Sequence, residues 1–135
     1  MWSENPLIRM RAADATEKVT RTSPALLQTY KIELLGLMAD AAEPELRWHL
    51  AAIIPRLALN PKERQLAVFL MNGYLEDRSS IVKTSALQGL ADLARNDPSL
   101  RPEVIELLRR TTRKGTPAMK ARSRKLLLRM EACDR

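Results

Sequence analysis

The sequence contains a single cysteine, Cys133, and a single histidine, His49, among its 135 residues. One thiol cannot form a disulfide within the chain, and neither residue has the partners that a zinc site requires. No motif links His49 to a nucleophile, since Ser85 lies in no nucleophile elbow. We therefore expect no metal, no cofactor and no catalytic residue, and we interpret the chain as a protein that is not an enzyme.

Glycine, aromatic residues and long apolar runs are also scarce. The four glycines stand far apart and cannot form a glycine-rich loop that cradles a phosphate. Aromatic residues make up 4% of the chain, and none lies beyond residue 100. Uninterrupted apolar stretches such as Leu34 to Ala39 are far shorter than the roughly 20 residues of a membrane span. The first residues, MWSENPL, do not resemble a signal peptide, and we expect a cytoplasmic protein without a membrane partner.

What the chain does contain is a motif that occurs four times. Each copy has an aliphatic residue followed directly by a base: Ile8-Arg9, Leu46-Arg47, Val82-Lys83 and Met119-Lys120. Eleven places beyond the aliphatic residue comes another apolar one: Val19, Leu57, Leu93 or Met130. The copies are spaced by 38, 36 and 37 residues. Such a period predicts a stacked array of repeats rather than a closed globule.

Apolar spacing and proline positions predict where the helices lie. Apolar residues recur at three, four and seven positions within each copy, and a second helical pattern lies between copies. Seven of the eight prolines stand at or near proposed helix starts, often after a capping residue such as Asn5 or Asn60. Pro55 alone falls inside a helix, where we expect a kink. Gly115 is expected to end the sixth helix in a left-handed conformation. Seven helices are predicted, three antiparallel pairs and an unpaired last one.

This pattern resembles the HEAT-repeat family of armadillo-like α-solenoids. The resemblance rests on the four aliphatic–base pairs and on Pro55, which is similar to the proline that bends the first helix of such repeats. It implies an all-α, right-handed α-solenoid of antiparallel helix pairs that forms a single domain over residues 1–135. The implied repeats span residues 5–40, 43–77 and 79–114, with a half repeat at 116–131. A tetratricopeptide array, with a fixed period of about 34 residues, is the nearest alternative.

The resemblance also implies a role for the base of each pair. In arrays of this family the equivalent base lies near the seam between repeats, where it bonds to acids and carbonyl groups of the neighbouring repeat. We therefore interpret four bases as structural: Arg9, Arg47, Lys83 and Lys120. His49 is interpreted in the same way, as a polar residue at a seam.

The charge is unevenly distributed along the chain. Residues 1–100 hold 12 Lys/Arg and 12 Asp/Glu, whereas residues 101–135 hold 11 and 4 and carry the whole excess of +7. A surface that binds an anion or a partner is predicted from seven of these bases: Arg109, Arg110, Arg113, Lys114, Arg122, Lys125 and Arg129. The alternative is that they only complement helix dipoles and form a polar terminal repeat.

Two functions follow as hypotheses. The first is a non-enzymatic protein-interaction scaffold that presents its second helices to a protein partner. The candidate surface residues are Gln28, Lys31, Lys62, Arg64, Gln65, Asn72 and, on the last helix, Leu128. Leu128 is expected to lie uncovered, where it could support weak self-association. The alternative is binding of nucleic-acid phosphates by the basic C-terminal quarter, without sequence reading, because no DNA-reading motif is present. A role like that of the HEAT-like DNA-repair glycosylases is a remote third option.

Overall fold

The computed structural model describes residues 1–133, which form seven α-helices. Their bounds are Pro6–Thr22 (α1), Lys31–Asp40 (α2), Pro44–Ile53 (α3), Pro61–Tyr74 (α4), Ser80–Asn96 (α5), Arg101–Lys114 (α6) and Pro117–Cys133 (α7). Short 3₁₀ helices at Pro24–Tyr30, Ile54–Arg56 and Pro98–Leu100 precede α2, follow α3 and precede α6. Residues 1–133 contain no β-strand. The predictions of an all-α fold and of seven helices are confirmed.

The helix starts follow the capping chemistry that the sequence indicates. The Asn5 side chain accepts a hydrogen bond from the backbone N–H of Leu7 at 3.0 Å. Asn60 and Glu63 form a reciprocal capping box, with both hydrogen bonds at 2.8 Å. The Thr116 hydroxyl accepts from the N–H of Met119 at 3.3 Å. Each cap satisfies backbone donors that have no partner in the first helical turn.

Two local expectations need correction. Pro55 does not kink a continuous helix, because α3 ends at Ile53 and the chain continues as a 3₁₀ turn. Gly115 has φ −80° and ψ 175°, which is extended rather than left-handed backbone. Glycine is required there for space, since a Cβ atom would lie 2.8 Å from the Thr111 carbonyl oxygen and from the Met119 Cβ.

The first helix of each copy packs on the first helix of the next. Helix α3 lies between α1 and α5, and α5 in turn contacts α7. Helix α5 also packs against α4 and α6, so it occupies the centre of the core. Gly89 permits its close approach to α3, because a Cβ atom there would lie 2.9 Å from the Ala51 carbonyl oxygen. Helix α2 packs on α4, and α6 packs on α7.

The four copies are not equivalent in their burial. The aliphatic residue is buried in three of them, at Leu46, Val82 and Met119, but Ile8 is 53% exposed. Val19 is exposed as well, and α1 instead buries a face that includes Ala13. Helix α1 packs on α3 and on the following 3₁₀ helix, and within residues 1–133 no helix packs on its other side. The aliphatic residue of the motif therefore has a similar environment in the second, third and fourth copies, but not in the first.

Candidate interaction groove and basic pocket

The base of the first copy bridges to the second. The Arg9 guanidinium donates to the Glu43 carboxylate and, at 2.6 Å, to the Ser3 carbonyl oxygen. Glu43 is the residue that precedes α3. The hydrogen bond from Arg9 is the main reason that the pKa of Glu43 lies below its usual value. Arg9 thus joins the segment before α1 to the residue that precedes α3.

The base of the second copy repeats this arrangement. The Arg47 guanidinium donates to the Asp77 carboxylate and, at 2.7 Å, to the Ala41 carbonyl oxygen. It also lies over the Tyr74 ring, 5.4 Å from the ring centroid, and the Tyr74 hydroxyl donates to the Met38 carbonyl oxygen at 2.5 Å. Partial burial raises the pKa of Asp77, but the Ser79 N–H and Arg47 outweigh it, and the pKa lies below its usual value.

The base of the third copy has no such acid. Lys83 forms no ion pair with any residue that the structure describes. Instead it lines a cavity of about 390 Å³, which we name the basic pocket. The residues lining it are Leu75, Lys83, Leu107, Arg110, Thr111, Lys114, Gly115, Thr116 and Met119. Three of them are cationic, and none is acidic.

Lys120, the base of the last copy, also forms no ion pair within residues 1–133. It lies on α7, the last helix of the described chain, half-buried. No further copy follows in the described residues to supply a seam acid.

Three candidates for a partner surface are engaged within the chain. The Gln28 amide exchanges two hydrogen bonds with the Ala58 backbone, at 2.7 and 2.9 Å. Lys31 forms an ion pair with Glu63 at 2.9 Å, and Arg64 forms one with the Asp97 carboxylate at 3.1 Å. These side chains therefore join successive parts of the chain. The other candidates remain exposed: Lys62, Gln65, Asn72 and Leu128.

An open groove separates α4 from α6. Its volume is about 470 Å³, and Leu90 of the central helix α5 is among the residues that line it. The full lining is Val68, Asn72, Leu90, Leu100, Pro102, Glu103, Val104, Glu106, Leu107 and Arg110. On α4, Phe69 is 73% exposed, and it shares one helical face with the groove residue Asn72 three positions on. We name this surface, with Phe69, the interaction groove.

The groove has opposite charges at its two ends. Glu103 and Glu106 lie in the first half of α6, whereas Arg110 lies one turn further along. Leu107 and Arg110 line both the interaction groove and the basic pocket. The two cavities therefore share part of their walls, on the second half of α6.

The C-terminal bases are divided between two places. Arg110 and Lys114 line the basic pocket, whereas Arg122 of α7 donates to the Gln88 side chain of α5 at 2.8 Å. Arg129 lies near Asp92 of α5. Burial raises the pKa of Asp92, and the hydrogen bond from Gln88 and the nearby guanidinium groups reduce that rise.

Contacts between α6 and α7 explain this division. Thr111 contacts Ser123 at 2.5 Å, and Arg101 donates to the Met130 carbonyl oxygen at 3.0 Å. Helix α7 therefore returns along α6, and its later bases lie beside the start of α6 rather than its end.

One polar network was missed by the sequence reasoning. Glu17 of α1 is buried, and its carboxylate accepts hydrogen bonds from Arg21 and Arg56 at 2.8 to 2.9 Å. Arg56 also donates to the Glu17 carbonyl oxygen at 2.8 Å and to the Thr20 hydroxyl at 3.0 Å. The spacing of Glu17 and Arg21 was a signal for that pair. Nothing in the pattern indicated Arg56, which lies 39 residues from Glu17.

His49 lies between α1 and α3. One ring nitrogen is 2.6 Å from the Glu45 carbonyl oxygen, and the other is 3.4 Å from the Asp14 carboxylate. The ring is buried and stacks on Trp48. The contact with Asp14 joins the first two copies, which agrees with the interpretation of His49 as a polar seam residue.

Within residues 1–133 no three histidine, cysteine, aspartate or glutamate side chains come together as a metal-ligand group. In the same part of the chain, no helix combines the length and the hydropathy that crossing a membrane requires. Comparisons with protein-family models, with curated proteins and with solved structures give no match.

Proposed function

We propose that the chain is a short HEAT-like α-solenoid that acts as a non-enzymatic protein-interaction module. Two features support the solenoid arrangement. The first helices of consecutive copies contact one another in order, from α1 through α3 and α5 to α7. The seam ion pairs also recur, with Arg9 reaching Glu43 at the start of the second copy and Arg47 reaching Asp77 just before the third.

The observation that carries the proposal is the interaction groove. Its lining is largely apolar, and an exposed aromatic ring at Phe69 stands beside it. On monomeric proteins, a contiguous exposed apolar surface often marks a place where a ligand or partner binds. Aromatic side chains are also the residues that dominate binding energy at protein interfaces.

The charges of the groove indicate what kind of partner fits. Arg110 at one end has no acidic partner among the described residues, and the exposed bases Arg109 and Arg113 lie on the same helix. We take the partner to be an amphipathic protein segment whose apolar side chains enter the groove. Its acidic end lies against Arg110, and opposite charges at the two ends of the groove fix its direction.

Selection from a library of displayed peptides would test this function. Peptides that bind the native protein should share spaced apolar residues followed by acidic ones. Their affinity should fall roughly tenfold or more in the Phe69→Ala variant, as expected for an interface anchor. Leu128→Ala is the matched control, because Leu128 is exposed on α7 and does not line the groove. Selected peptides that bind the Phe69→Ala variant unchanged would contradict the proposal.

A second function is favoured by the charge of the C-terminal helices. From Arg109 to Arg129 no base forms an ion pair within the described residues, so their charge is open to the phosphates of a nucleic acid. Binding to duplex DNA should then weaken steeply with salt, with a slope of about −0.9 per phosphate contacted.

Fluorescence anisotropy titrations at several salt concentrations measure that slope. A charge-reversed variant, with Glu at positions 109, 110, 113, 122, 125 and 129, should not bind. Duplex binding that survives in this variant would place the nucleic-acid site elsewhere. Peptide binding without duplex binding would support the first function alone.

A further inference from the structure

At the first two seams between consecutive copies the motif base pairs with an acid, whereas at the third seam it has no such partner within the described residues. At the first seam Arg9 pairs with Glu43, and at the second Arg47 pairs with Asp77. Both acids stand at or just before the start of the next copy's first helix. Each of these seams therefore places one guanidinium against one carboxylate.

The corresponding positions of the third seam hold no acid. Glu43 immediately precedes α3, and the residue in that place before α7 is Thr116. Asp77 stands two residues before the cap of α5, and the residue in that place before α7 is Lys114. The seam base Lys83 therefore has no acid at either of these positions, and a lysine stands at the position where the second seam has an aspartate.

The basic pocket gathers these charges around open space. Lys83, Arg110 and Lys114 line it together, and no acidic residue lines it. Asp77 interacts electrostatically with Lys83, but Asp77 already forms the ion pair with Arg47. No other acidic side chain in the described part of the chain pairs with any of the three cations.

The hydroxyl groups of the pocket are already engaged. Thr111 donates within α6 and contacts Ser123, and Thr116 contacts Ser80 at 2.7 Å. Binding capacity in the pocket therefore comes from the three cations. Cations brought together without an anion repel one another, and an anionic ligand relieves that repulsion.

We propose that the basic pocket is a binding site for a phosphate group that replaces the missing acid of the third seam. Three cations line this pocket, whereas at each of the other two seams a single guanidinium pairs with a single carboxylate. A dianion therefore balances the positive charge of the pocket better than a carboxylate does. Arginine and lysine are the side chains that proteins use to hold phosphate oxygens. The cavity of about 390 Å³ has ample room for the group.

The pocket adjoins the interaction groove, because Leu107 and Arg110 line both. A phosphorylated residue that follows the apolar part of a bound segment would therefore reach it. This part of the inference rests on the proposed protein-interaction function. Occupation of the pocket by inorganic phosphate does not rest on it.

Titration with inorganic phosphate at pH 7.5, at ionic strength held constant with sodium chloride, tests the site. Amide resonances of Thr111, Gly115 and Thr116 in ¹⁵N-labelled protein should shift and saturate. The variant Lys114→Asp supplies the acid that the second seam has, and its phosphate affinity should fall roughly tenfold or more. Arg11→Asp makes the same charge change at an exposed position of α1, outside the pocket, and should leave the affinity unchanged.

Small phosphate compounds separate the possible sources of the ligand. O-phosphoserine, a dianionic monoester, should bind at least as tightly as inorganic phosphate if the natural ligand is a phosphorylated side chain. Dimethyl phosphate, a monoanion like the nucleic-acid backbone, should bind several-fold more weakly, since its charge is half as large. Equal binding of the two esters would overturn the assignment to a phosphate dianion.

Shifts that grow linearly without saturation, or equal loss of affinity in Lys114→Asp and Arg11→Asp, would overturn the site itself. The peptide selection described above can fail while phosphate still saturates the pocket. That result would remove the protein-interaction function and leave the anion site. The reverse result, selected peptides without phosphate binding, would remove the anion site alone.

Discussion

The first hundred residues and the C-terminal helices use their bases in opposite ways. Eight of the twelve Lys and Arg side chains before residue 101 form ion pairs within the fold. From Arg109 to Arg129, no Lys or Arg side chain pairs with an acid that the structure describes. The first region uses its charge to join its helices, whereas the second leaves its charge open to solvent.

The two regions are consequently stabilised by different contacts. In the first, ion pairs such as Arg47 with Asp77 supplement the apolar core at each seam. In the second, the contact of α7 with α5 and α6 is largely apolar, and its buried residues include Met119, Leu126 and Met130. The bases from Arg109 to Arg129 thus form no ion pairs like those of the first region within the described residues, which leaves their charge free to bind a ligand.

Truncation of Leu126 should have the largest effect and tests the apolar contact of α7. Leu126 is 2% exposed, so Leu126→Ala removes buried methyl groups and should lower the free energy of unfolding by about 3 to 4 kcal/mol. Leu128 lies two residues further on α7 and is 69% exposed. Leu128→Ala should change the free energy of unfolding by less than about 0.5 kcal/mol.

Urea unfolding followed by circular dichroism measures both variants. Equal losses in the two would mean that α7 does not pack on its neighbours through the Leu126 face. Sedimentation at increasing concentration adds a check on Leu128, because weak self-association through this residue should disappear in Leu128→Ala.

Removal of the Glu17 charge should have the next largest effect and tests the ion pairs of the first region. Glu17→Gln leaves the Arg56 guanidinium, only 29% exposed, without its carboxylate. The free energy of unfolding should fall by about 2 to 3 kcal/mol. Glu103→Gln makes the same chemical change at an exposed position of α6 and should have almost no effect. Similar losses in both variants would remove the contrast between the two regions.

The pH dependence of stability should follow from the same carboxylates. Burial raises the pKa of Glu17, but hydrogen bonds from Arg21 and Arg56 outweigh it, so the pKa in the folded state lies below the ordinary 4.5. Asp77 likewise lies below its ordinary 3.8. A depressed pKa contributes its full stability above the unfolded value and loses it as the pH falls through the folded value.

We therefore expect the free energy of unfolding to be nearly constant from pH 7 to about pH 5 and to fall at lower pH. Urea unfolding at several pH values measures this profile. The profile of Glu17→Gln should be shallower in acid, because one of the titrating groups is absent. Asp92 partly opposes this loss of stability in acid. Burial raises its pKa, so its ionised form is disfavoured in the folded state and its protonation at low pH stabilises the fold. An identical profile in the variant would contradict the role given to Glu17.

The helices could be predicted from the sequence because their determinants are local. Asn60, Glu63 and the proline between them cap α4 through residues at most three positions apart. The buried face of α7 followed from the spacing of Met119, Leu126 and Met130. The repeat could not reveal that Ile8 is exposed, because burial depends on whether a neighbouring helix covers each side.

The candidate site was only partly predictable for the same reason. The bases of α6 and α7 stood out by their number, but the sequence could not divide them between two faces of the fold. The basic pocket depends on the fold placing Lys83 and Lys114, which is 31 residues further along the chain, in the lining of one cavity. The sequence already shows that the third seam has no acid at these positions. That absence could be interpreted only after the structure showed that Arg9 and Arg47 pair with acids at the first two seams.

Neutralisation of Arg113 should have the smallest effect and the opposite sign. Arg109 and Arg113 are exposed, four residues apart on α6, and unpaired within the described residues. Like charges at this spacing destabilise a helix, so Arg113→Gln should raise the free energy of unfolding by about 0.2 to 0.5 kcal/mol at low salt. Arg47→Gln is the contrast in the first region and should lower it, because Asp77 loses its partner.

High salt distinguishes repulsion from other causes of this small gain. At about 1 M ionic strength the interaction between exposed charges is screened within about 3 Å, and the difference between Arg113→Gln and the native protein should vanish. A loss of stability in Arg113→Gln would mean that this base is used within the fold, as those of the first region are. A gain that salt abolishes would show that the C-terminal bases oppose folding, which is expected where side chains serve an anionic ligand.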